Sequence, residues 1–363
     1  MIASSRYVRQ YVNGPSAENE PEAFVETVVD VARQSGAQLV MPMTDAALVH
    51  CAQHREALAE EGATVAAAPS AAVENVLDKR RNLETVSKLG IPCPAEFQLE
   101  SIEHVPELIA RLGFPMVLKN PGYVPGQTRR AFVFKWLIAH DERELLALLA
   151  QRRGVDEFPI FQELVRGRLR NLCCFAAEGT TVAIHEYRDI RRLGWEGNGV
   201  VRETSALTPR LAEYAERLLR ELRWDGVAHI AFVVRDDKSE VRYMETNGRY
   251  WGSVEGSIRI GWDFPYWAYR YFTRGELPDP PPLRVGMRMC WHYGDLRLLF
   301  KRLRGEEPPL PPRPGKIRAV ADYVSAFRPG VGSDVFRLDD PLPGLAEHRS
   351  GVGRAIARRL PFR

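Results

Sequence analysis

The sequence predicts an α/β protein, and three observations carry that prediction. Short apolar runs alternate with amphipathic helical stretches over residues 21–68, the order that builds a parallel sheet. From Ile102 to Asn247 strands and helices alternate again, now in a compact α+β order. The chain has 363 residues, 45% of them hydrophobic, enough for two or three packed domains and too apolar for a disordered chain.

Each element follows from local pattern. PEAFVETVVDVARQ puts Phe24, Val25, Val28, Val29 and Ala32 on one helical face, and Gly36 ends that helix. AQLVMPMTD reads as a strand entering a polar turn, Asp45–Gly62 as a helix, and TVAAAP as the next strand. Asp78-Lys79 precedes the helix RRNLETVSKLG, and two prolines pin IPCPAEF in an extended form. Then come the helix VPELIARLG, the strand FPMVLKN, a Gly/Pro loop (PGYVPGQTRRA), the strand FVFKWLI, the helix DERELLALLAQR and the strand FPIFQEL. Strands are expected at 172–177 and 181–186, a polar loop at 189–199, a helix at 209–223, and two final strands, VAHIAFVVR and VRYMETN. Pro278 and Pro280–Pro282 make a stiff linker, GMRMCWHYGDLRLLFKRLRG a strand and a helix, and the remainder reads as irregular.

Composition excludes several classes. No apolar stretch approaches the roughly 18–20 residues of a membrane helix, and the start MIASSRYVRQ lacks a signal-peptide core, so the expected location is the cytoplasm. Cys51, Cys93, Cys173, Cys174 and Cys290 lack zinc spacing and read as buried thiols. The net charge of +3 hides an asymmetry: residues 284–363 hold 16 Lys and Arg against 8 Asp and Glu. No nucleic-acid motif accompanies this basic stretch, so no specific nucleic-acid partner is expected.

Three pieces point to a nucleotide. Lys119 ends an apolar strand beside a Gly/Pro loop, a pairing of fixed positive charge with backbone donors that suits a polyphosphate, although strand-end lysines are common. FQELVRG is a strand running into a short connector whose backbone groups suit an adenine edge. In YMETNGRYWGS, Glu245 and Asn247 are two apart on a strand and share a face, offering oxygen ligands to Mg²⁺. Arg249 follows on the same parity and suits phosphate or carboxylate. A solvated outer sheet face accounts for the same Glu, Asn and Arg alternation. Arg188, Arg191 and Arg192 precede three glycines, which suits a carboxylate or a developing acyl-phosphate on a loop, or equally a solvated loop. His185 and His229 read as structural.

In this order and spacing the pieces resemble the ATP-grasp superfamily from about Ser5 to Gly275, and the stretch after Arg249 is most similar to carbamoyl-phosphate-synthase-like carboxylate–amine ligases. The resemblance implies an ATP-grasp fold, two α+β subdomains gripping ATP, after a truncated Rossmann-like parallel-sheet domain. It implies boundaries of 1–77 for that first domain, 78–277 for the ATP-grasp domain with a mobile lid at about 111–163, and 278–363 for a Pro-rich linker and basic extension. It implies that Lys79 and Lys119 contact ATP phosphates, that the Glu163 and Val165 backbones pair with adenine, that Glu245 and Asn247 hold Mg²⁺ (or Mn²⁺), and that Arg249 steadies the reacting group, with Arg188 and Arg192 as further catalytic candidates. The implied partners are small-molecule carboxylate and amine substrates, with a homodimer allowed. Ala231 stands where the family has an acidic or amide metal ligand, and Leu169 where it has a ribose-binding Glu. Those two departures motivate the alternative of a catalytically degenerate ATP-binding regulatory or scaffold protein.

Overall fold

A computed structural model describes residues 2–121, 136–150, 158–193, 199–235, 240–306 and 314–357. The N-terminal elements are α1 (Pro21–Ser35), β1 (Leu39–Val40), α2 (Asp45–Gln53), α3 (Arg55–Glu60) and β2 (Thr64–Val65). Gly36 ends α1 in the left-handed region, as its position predicts, and donates its N–H to Ala32. The single helix expected over 45–62 is two helices, because the chain leaves helical geometry at His54. β1 and β2 pair in parallel through Leu39–Thr64 and Val40–Val65.

Two helices follow, α4 (Ser70–Leu77) and α5 (Lys79–Lys88), with Asp78 ending one and capping the other. Its carboxylate accepts the N–H groups of Arg80 and Arg81 at 3.0 and 3.1 Å, which satisfies donors that the first helical turn leaves orphaned.

A four-stranded antiparallel sheet comes next, with strand order β3-β6-β4-β5. Its strands are β3 (Glu96–Phe97), β4 (Met116–Lys119), β5 (Trp136–Ala139) and β6 (Ile160–Glu163), and its helices are α6 (Val105–Leu112) and α7 (Glu142–Ala150). Strand alternation divides the residues. Met116, Leu118, Ala139 and Phe161 pack on Leu108, Leu145 and Leu149 of the two helices, while Val117, Lys119, Ile160, Gln162 and Glu96 take the other face. The Gly/Pro loop and most of the expected FVFKWLI strand lie outside the described residues.

The central sheet has seven strands in the order β11-β10-β7-β8-β9-β12-β13. Its first strands are β7 (Arg168–Ala177), β8 (Thr180–Arg192) and β9 (Gly199–Ser205). After α8 (Pro209–Glu221) come β10 (Gly226–Val234) and β11 (Val241–Asn247), then α9 (Val254–Arg259) and α10 (Phe264–Arg274). The chain continues through β12 (Arg288–Cys290), α11 (His292–Arg304), α12 (Lys316–Val324), β13 (Val331–Ser333) and α13 (Leu342–Ala357). The expected strand and helix after the linker are β12 and α11, but the remainder is not irregular: it holds α12, β13 and α13, and β13 pairs in parallel with β12, which itself pairs with β9.

Both faces of this sheet are covered. On one, Leu172, Cys174, Ile230, Phe232 and Tyr243 pack against α8 residues Leu211, Tyr214, Ala215 and Leu218, spaced at helical intervals. Each such apolar side chain stabilises the fold by about 1.5–3 kcal/mol when fully buried. The same core takes in Leu48, Val49, Val73, Val76, Leu83 and Val86, so one apolar core joins residues on both sides of the boundary expected at 77. On the opposite face Cys173, Phe175 and Val227 meet Trp251, Trp262, Phe264 and Trp267.

A polar thread crosses the first core. The Tyr243 hydroxyl is bonded to Asn82 Oδ1 and, at 2.8 Å, to Thr246 Oγ1; Asn82 donates to Asn75 at 3.1 Å and Asn75 to Thr85 at 2.9 Å. Tyr243 is 1% exposed, and burial holds its phenol well above the ordinary range. Removing that hydroxyl leaves the buried Asn82 amide oxygen without its donor and Thr246 Oγ1 without its partner. Tyr243→Phe is expected to lower unfolding free energy by about 1–3 kcal/mol in urea denaturation; a loss below about 0.5 kcal/mol contradicts the thread's structural role.

Candidate functional site

β11 carries the residues of most interest, and its register explains how. Across the β10–β11 pair Phe232 faces Tyr243 and Ala231 faces Glu245, so Met244 is skipped, as an inserted residue is in a β-bulge. Strict alternation from Tyr243 sends Glu245 and Asn247 into the core. The extra residue reverses the parity. Val241, Tyr243 and Thr246 face the core, while Glu245 and Asn247 emerge half-buried on the other face. The expected shared face of Glu245 and Asn247 is present, and the bulge is what exposes it.

That face reads across four strands. Glu245, Ala231, Asn171 and Tyr187 stand in one row, with Asn247, His229, Cys173 and His185 in the next. The Asn247 amide nitrogen lies 3.4 Å from Glu245 Oε1 and 3.3 Å from His229 Nδ1, and His229 Nε2 is 3.1 Å from the Tyr187 hydroxyl. Asn171, 3% exposed, points an amide nitrogen without a protein partner from the strand next to Ala231. Ala231 is 2% exposed.

Arg249 leaves β11 toward the N-terminal elements: its Nε donates to Asp45 Oδ1 at 2.7 Å, at the start of α2. Between Asn247 and Arg249, Gly248 lets Trp224 approach, since a Cβ there would meet the indole at 2.5 Å.

Lys79 and Lys119 converge on one stretch of backbone. Lys79 N donates to Pro121 O at 3.0 Å and Lys79 Nζ to Asn120 O at 2.9 Å, next in sequence to Lys119. The ammonium of Lys119 lies near Glu96 and Cys93 and eases ionisation of both. Burial still dominates, holding Glu96 above the usual carboxylate range and pushing the Cys93 thiol up to about 11. Arg242 of β11 also acts on Cys93, so the two sheets meet here.

Glu163 ends β6 and locks onto the segment before β3. Its N–H donates to Ala95 O at 2.9 Å and its carboxylate accepts the Ala95 N–H at 3.0 Å, with Arg242 3.8 Å away. Val165 is half-buried in the connector to β7. At Gly167 a Cβ would meet Val234 O at 2.6 Å, so the connector passes against β10 only because that residue lacks a side chain.

The arginine cluster is not a loop. β8 continues to Arg192, six residues beyond its expected end, because acids accompany it. Arg188 bonds Glu203 at 3.1 Å through Nε, Arg191 bonds Asp295 at 2.6 Å, and Arg192 lies 3.4 Å from Asp189. Arg188 shares the register row of Arg170 and Phe232, on the sheet face opposite Glu245, so the structure does not bring it to the β11 pair. Arg192 stands at the end of β8, three strands from β11, roughly 14 Å across at a strand spacing of about 4.8 Å. Residues 194–198 beyond it lie outside the described residues.

Among the described residues no group of three or more His, Cys, Asp or Glu could hold a metal ion. Two oxygen donors, Glu245 and Asn247, are what the protein presents. That set fits a hard divalent cation that keeps water and phosphate oxygens as its other ligands, and the Asn171 amide nitrogen on the same face, a donor with no protein partner, suits such an oxygen rather than the cation. The five cysteines are free thiols, four buried and Cys93 partly so.

A four-stranded α+β unit, a connector at Glu163–Gly167 and a larger sheet bearing Glu245 and Asn247 make up the fold of the ATP-grasp enzymes, and the chain is similar to members of that superfamily in both sequence and fold. Its relatives include the carbamoyl phosphate synthase large chains of Gemmatimonas aurantiaca, 24% identical over 94% of this chain, and of Pyrobaculum aerophilum, 23% identical over 74%. The chain spans 29% and 26% of those two proteins, under a third of either. No protein-family model matches it. Among solved structures, the Campylobacter jejuni biotin carboxylase–ATP analogue complex aligns with a TM-score of 0.61 at 15% identity, covering 75% of this chain and 63% of that one. The Hydrogenobacter thermophilus 2-oxoglutarate carboxylase biotin carboxylase domain, solved with magnesium ADP and bicarbonate, aligns at 0.59 and 18% identity, covering 73% and 60%. An ADP complex of N5-carboxyaminoimidazole ribonucleotide synthetase aligns at 0.57 and 14%, covering 80% and 74%.

Asp45, Asn171 and Tyr187 carry no local sequence signal, because they reach the site only through strand pairing and packing. Placing β10 beside β11 and counting registers could have flagged Asn171, had β7 been set as the next strand. The close approach at Gly167 is testable. Gly167→Ala is expected to destabilise the protein by about 1–3 kcal/mol through overpacking against β10. Gly252→Ala, where a Cβ meets nothing within 4 Å, is expected to stay within about 0.5 kcal/mol. Equal effects in thermal or urea denaturation contradict the packing described.

Proposed function

We propose that the chain is an ATP-dependent carboxylate–amine ligase that works through an acyl-phosphate. The observation that carries this reading is the pair of oxygen donors, Glu245 and Asn247, turned out of the core on the sheet that meets the Lys79–Lys119 corner. The names of the sequence relatives and the nucleotides in the structural neighbours support it.

In this reading Lys79 and Lys119 neutralise the ATP phosphates. Glu245 and Asn247 hold Mg²⁺, or Mn²⁺ in its place, and the cation supplies charge neutralisation at the phosphate oxygens. The Glu163 N–H is committed to Ala95, so the adenine edge falls to the remaining backbone groups of Glu163–Val165. The substrate carboxylate oxygen attacks the γ-phosphorus, the bond to the β–γ bridging oxygen breaks, and ADP leaves. An amine nitrogen then attacks the acyl carbon and phosphate departs. Arg249, oriented by Asp45, is placed to steady the acyl-phosphate, and Arg192 is the remaining candidate for the substrate carboxylate. Rate enhancement comes from positioning and charge neutralisation rather than covalent catalysis by the protein. Residues 78–277 hold this machinery, and residues 1–77 brace it through the shared core.

ADP release tests the reading: with Mg²⁺ and ATP, a pool of carboxylates and amines is expected to raise ADP production above the rate without them. Tight binding without such turnover leaves the non-catalytic nucleotide binder. Lys119→Ala is expected to weaken an ATP analogue at least tenfold, about 1.4 kcal/mol, in calorimetric titration while the melting temperature holds. Lys119 is half-buried at a strand end, so trimming it opens no core cavity. Unchanged affinity removes Lys119 from the site.

A further inference from the structure

We infer that His229 is the positioning residue that keeps the Asn247 amide turned with its oxygen toward the bound cation. This rests on the reading of Glu245 and Asn247 as the cation pair, and it explains a histidine that the proposed chemistry does not otherwise use.

An asparagine side chain has one oxygen that can ligate a hard cation and one nitrogen that cannot. Rotation of the amide by half a turn exchanges them, so an asparagine ligand works only if something fixes the rotation. Here the nitrogen faces two acceptors, Glu245 Oε1 at 3.4 Å and His229 Nδ1 at 3.3 Å. The carboxylate is acceptor-only, which assigns the nitrogen to that side. Nδ1 of His229 therefore accepts, and the ring proton sits on Nε2, 3.1 Å from the Tyr187 oxygen that receives it. When a cation draws on the Glu245 oxygens, His229 Nδ1 remains to retain the amide nitrogen.

The imidazole is itself immobile. It is 7% exposed and stacks on Trp251 at 5.7 Å with planes 25° apart, and the ring of Tyr187, 8% exposed, lies 6.0 Å from it with planes 27° apart. Packing sets the plane, Glu245 fixes the amide and with it the tautomer, and Nδ1 then holds the amide nitrogen while Tyr187 takes the Nε2 proton. That is the usual logic by which outer groups orient a ligand.

The test measures the Mg²⁺ concentration that half-saturates binding of a non-hydrolysable ATP analogue, by calorimetry, on the full chain. His229→Phe keeps the ring stacked on Trp251 and removes Nδ1; it is expected to raise that concentration about tenfold. His229→Asn restores an acceptor at the place of Nδ1 and is expected to stay within roughly twofold of the parent. Asn247→Asp supplies the decisive background, because a carboxylate presents an oxygen whichever way it turns. In that background His229→Phe is expected to add no more than roughly twofold. Tyr187→Phe, which removes the acceptor for Nε2–H, is expected to follow the same pattern more weakly, and with His229→Asn it keeps the test readable if His229→Phe unfolds. An unchanged Mg²⁺ requirement in His229→Phe overturns the inference. So does an equal loss in the Asn247→Asp background, which marks a merely structural histidine, or a loss in His229→Asn as large as in His229→Phe. A parent chain that binds no analogue at any Mg²⁺ concentration overturns the proposed function instead.

Discussion

The bulge at Met244 is the constraint on which the candidate site depends. A strand delivers side chains to two faces in strict alternation, and β11 must serve both a packed core and a polar site. One inserted residue lets it do so: Tyr243 and Thr246 stay inside and bond to each other, while Glu245 and Asn247 turn outward. The Tyr243–Asn82 bond then fixes β11 to α5, whose first residue is Lys79. The outward carboxylate and the ammonium at the head of α5 are thus held by one buried polar thread.

Charge is managed in the same local way. The strands β8 and β9 carry Arg188, Arg191, Arg192 and Arg202, and burying a guanidinium costs several kcal/mol unless it is paired. Glu203, Asp189, Asp295 and Asp334 pair them. Two of these acids belong to the C-terminal 86 residues, numbered from 278. That segment adds β12 and β13 to the sheet and brings the neutralising carboxylates with them. Basic residues of the tail also pair inward, as in Arg288–Glu203, Arg302–Asp322 and Arg337–Glu255. His185 follows the opposite route: fully buried without a carboxylate, its pKa is pushed down to about 3 by desolvation, so it stays neutral.

Much of this was legible in the sequence, for reasons that differ residue by residue. The Asp78-Lys79 cap, the strand ending at Lys119 and the Glu245–Asn247 pair are local, and short-range pattern suffices for them. The bulge is not local. Alternation alone places Tyr243 and Glu245 together, and only the register with Phe232 and Ala231 separates them. Arg188, Arg191 and Arg192 looked like a loop because their partners lie 15, 104 and 3 residues away, and a strand is stable there only once distant acids such as Asp295 arrive. β13 was invisible for the same reason, being three residues that are a strand only beside β12. The contacts of His229 are not local either, since its partners Tyr187 and Asn247 come from other strands.

The central claim is that Glu245 and Asn247, set outward by the bulge, are the oxygen pair that holds the nucleotide's cation. The most direct measurement is the anomalous difference map of crystals grown with Mn²⁺ and a non-hydrolysable ATP analogue. The account predicts a manganese peak roughly 2.0–2.5 Å from a Glu245 carboxylate oxygen and from Asn247 Oδ1, with phosphate oxygens completing the shell. A peak bound elsewhere on the chain, or a bound nucleotide whose cation touches neither residue, contradicts it.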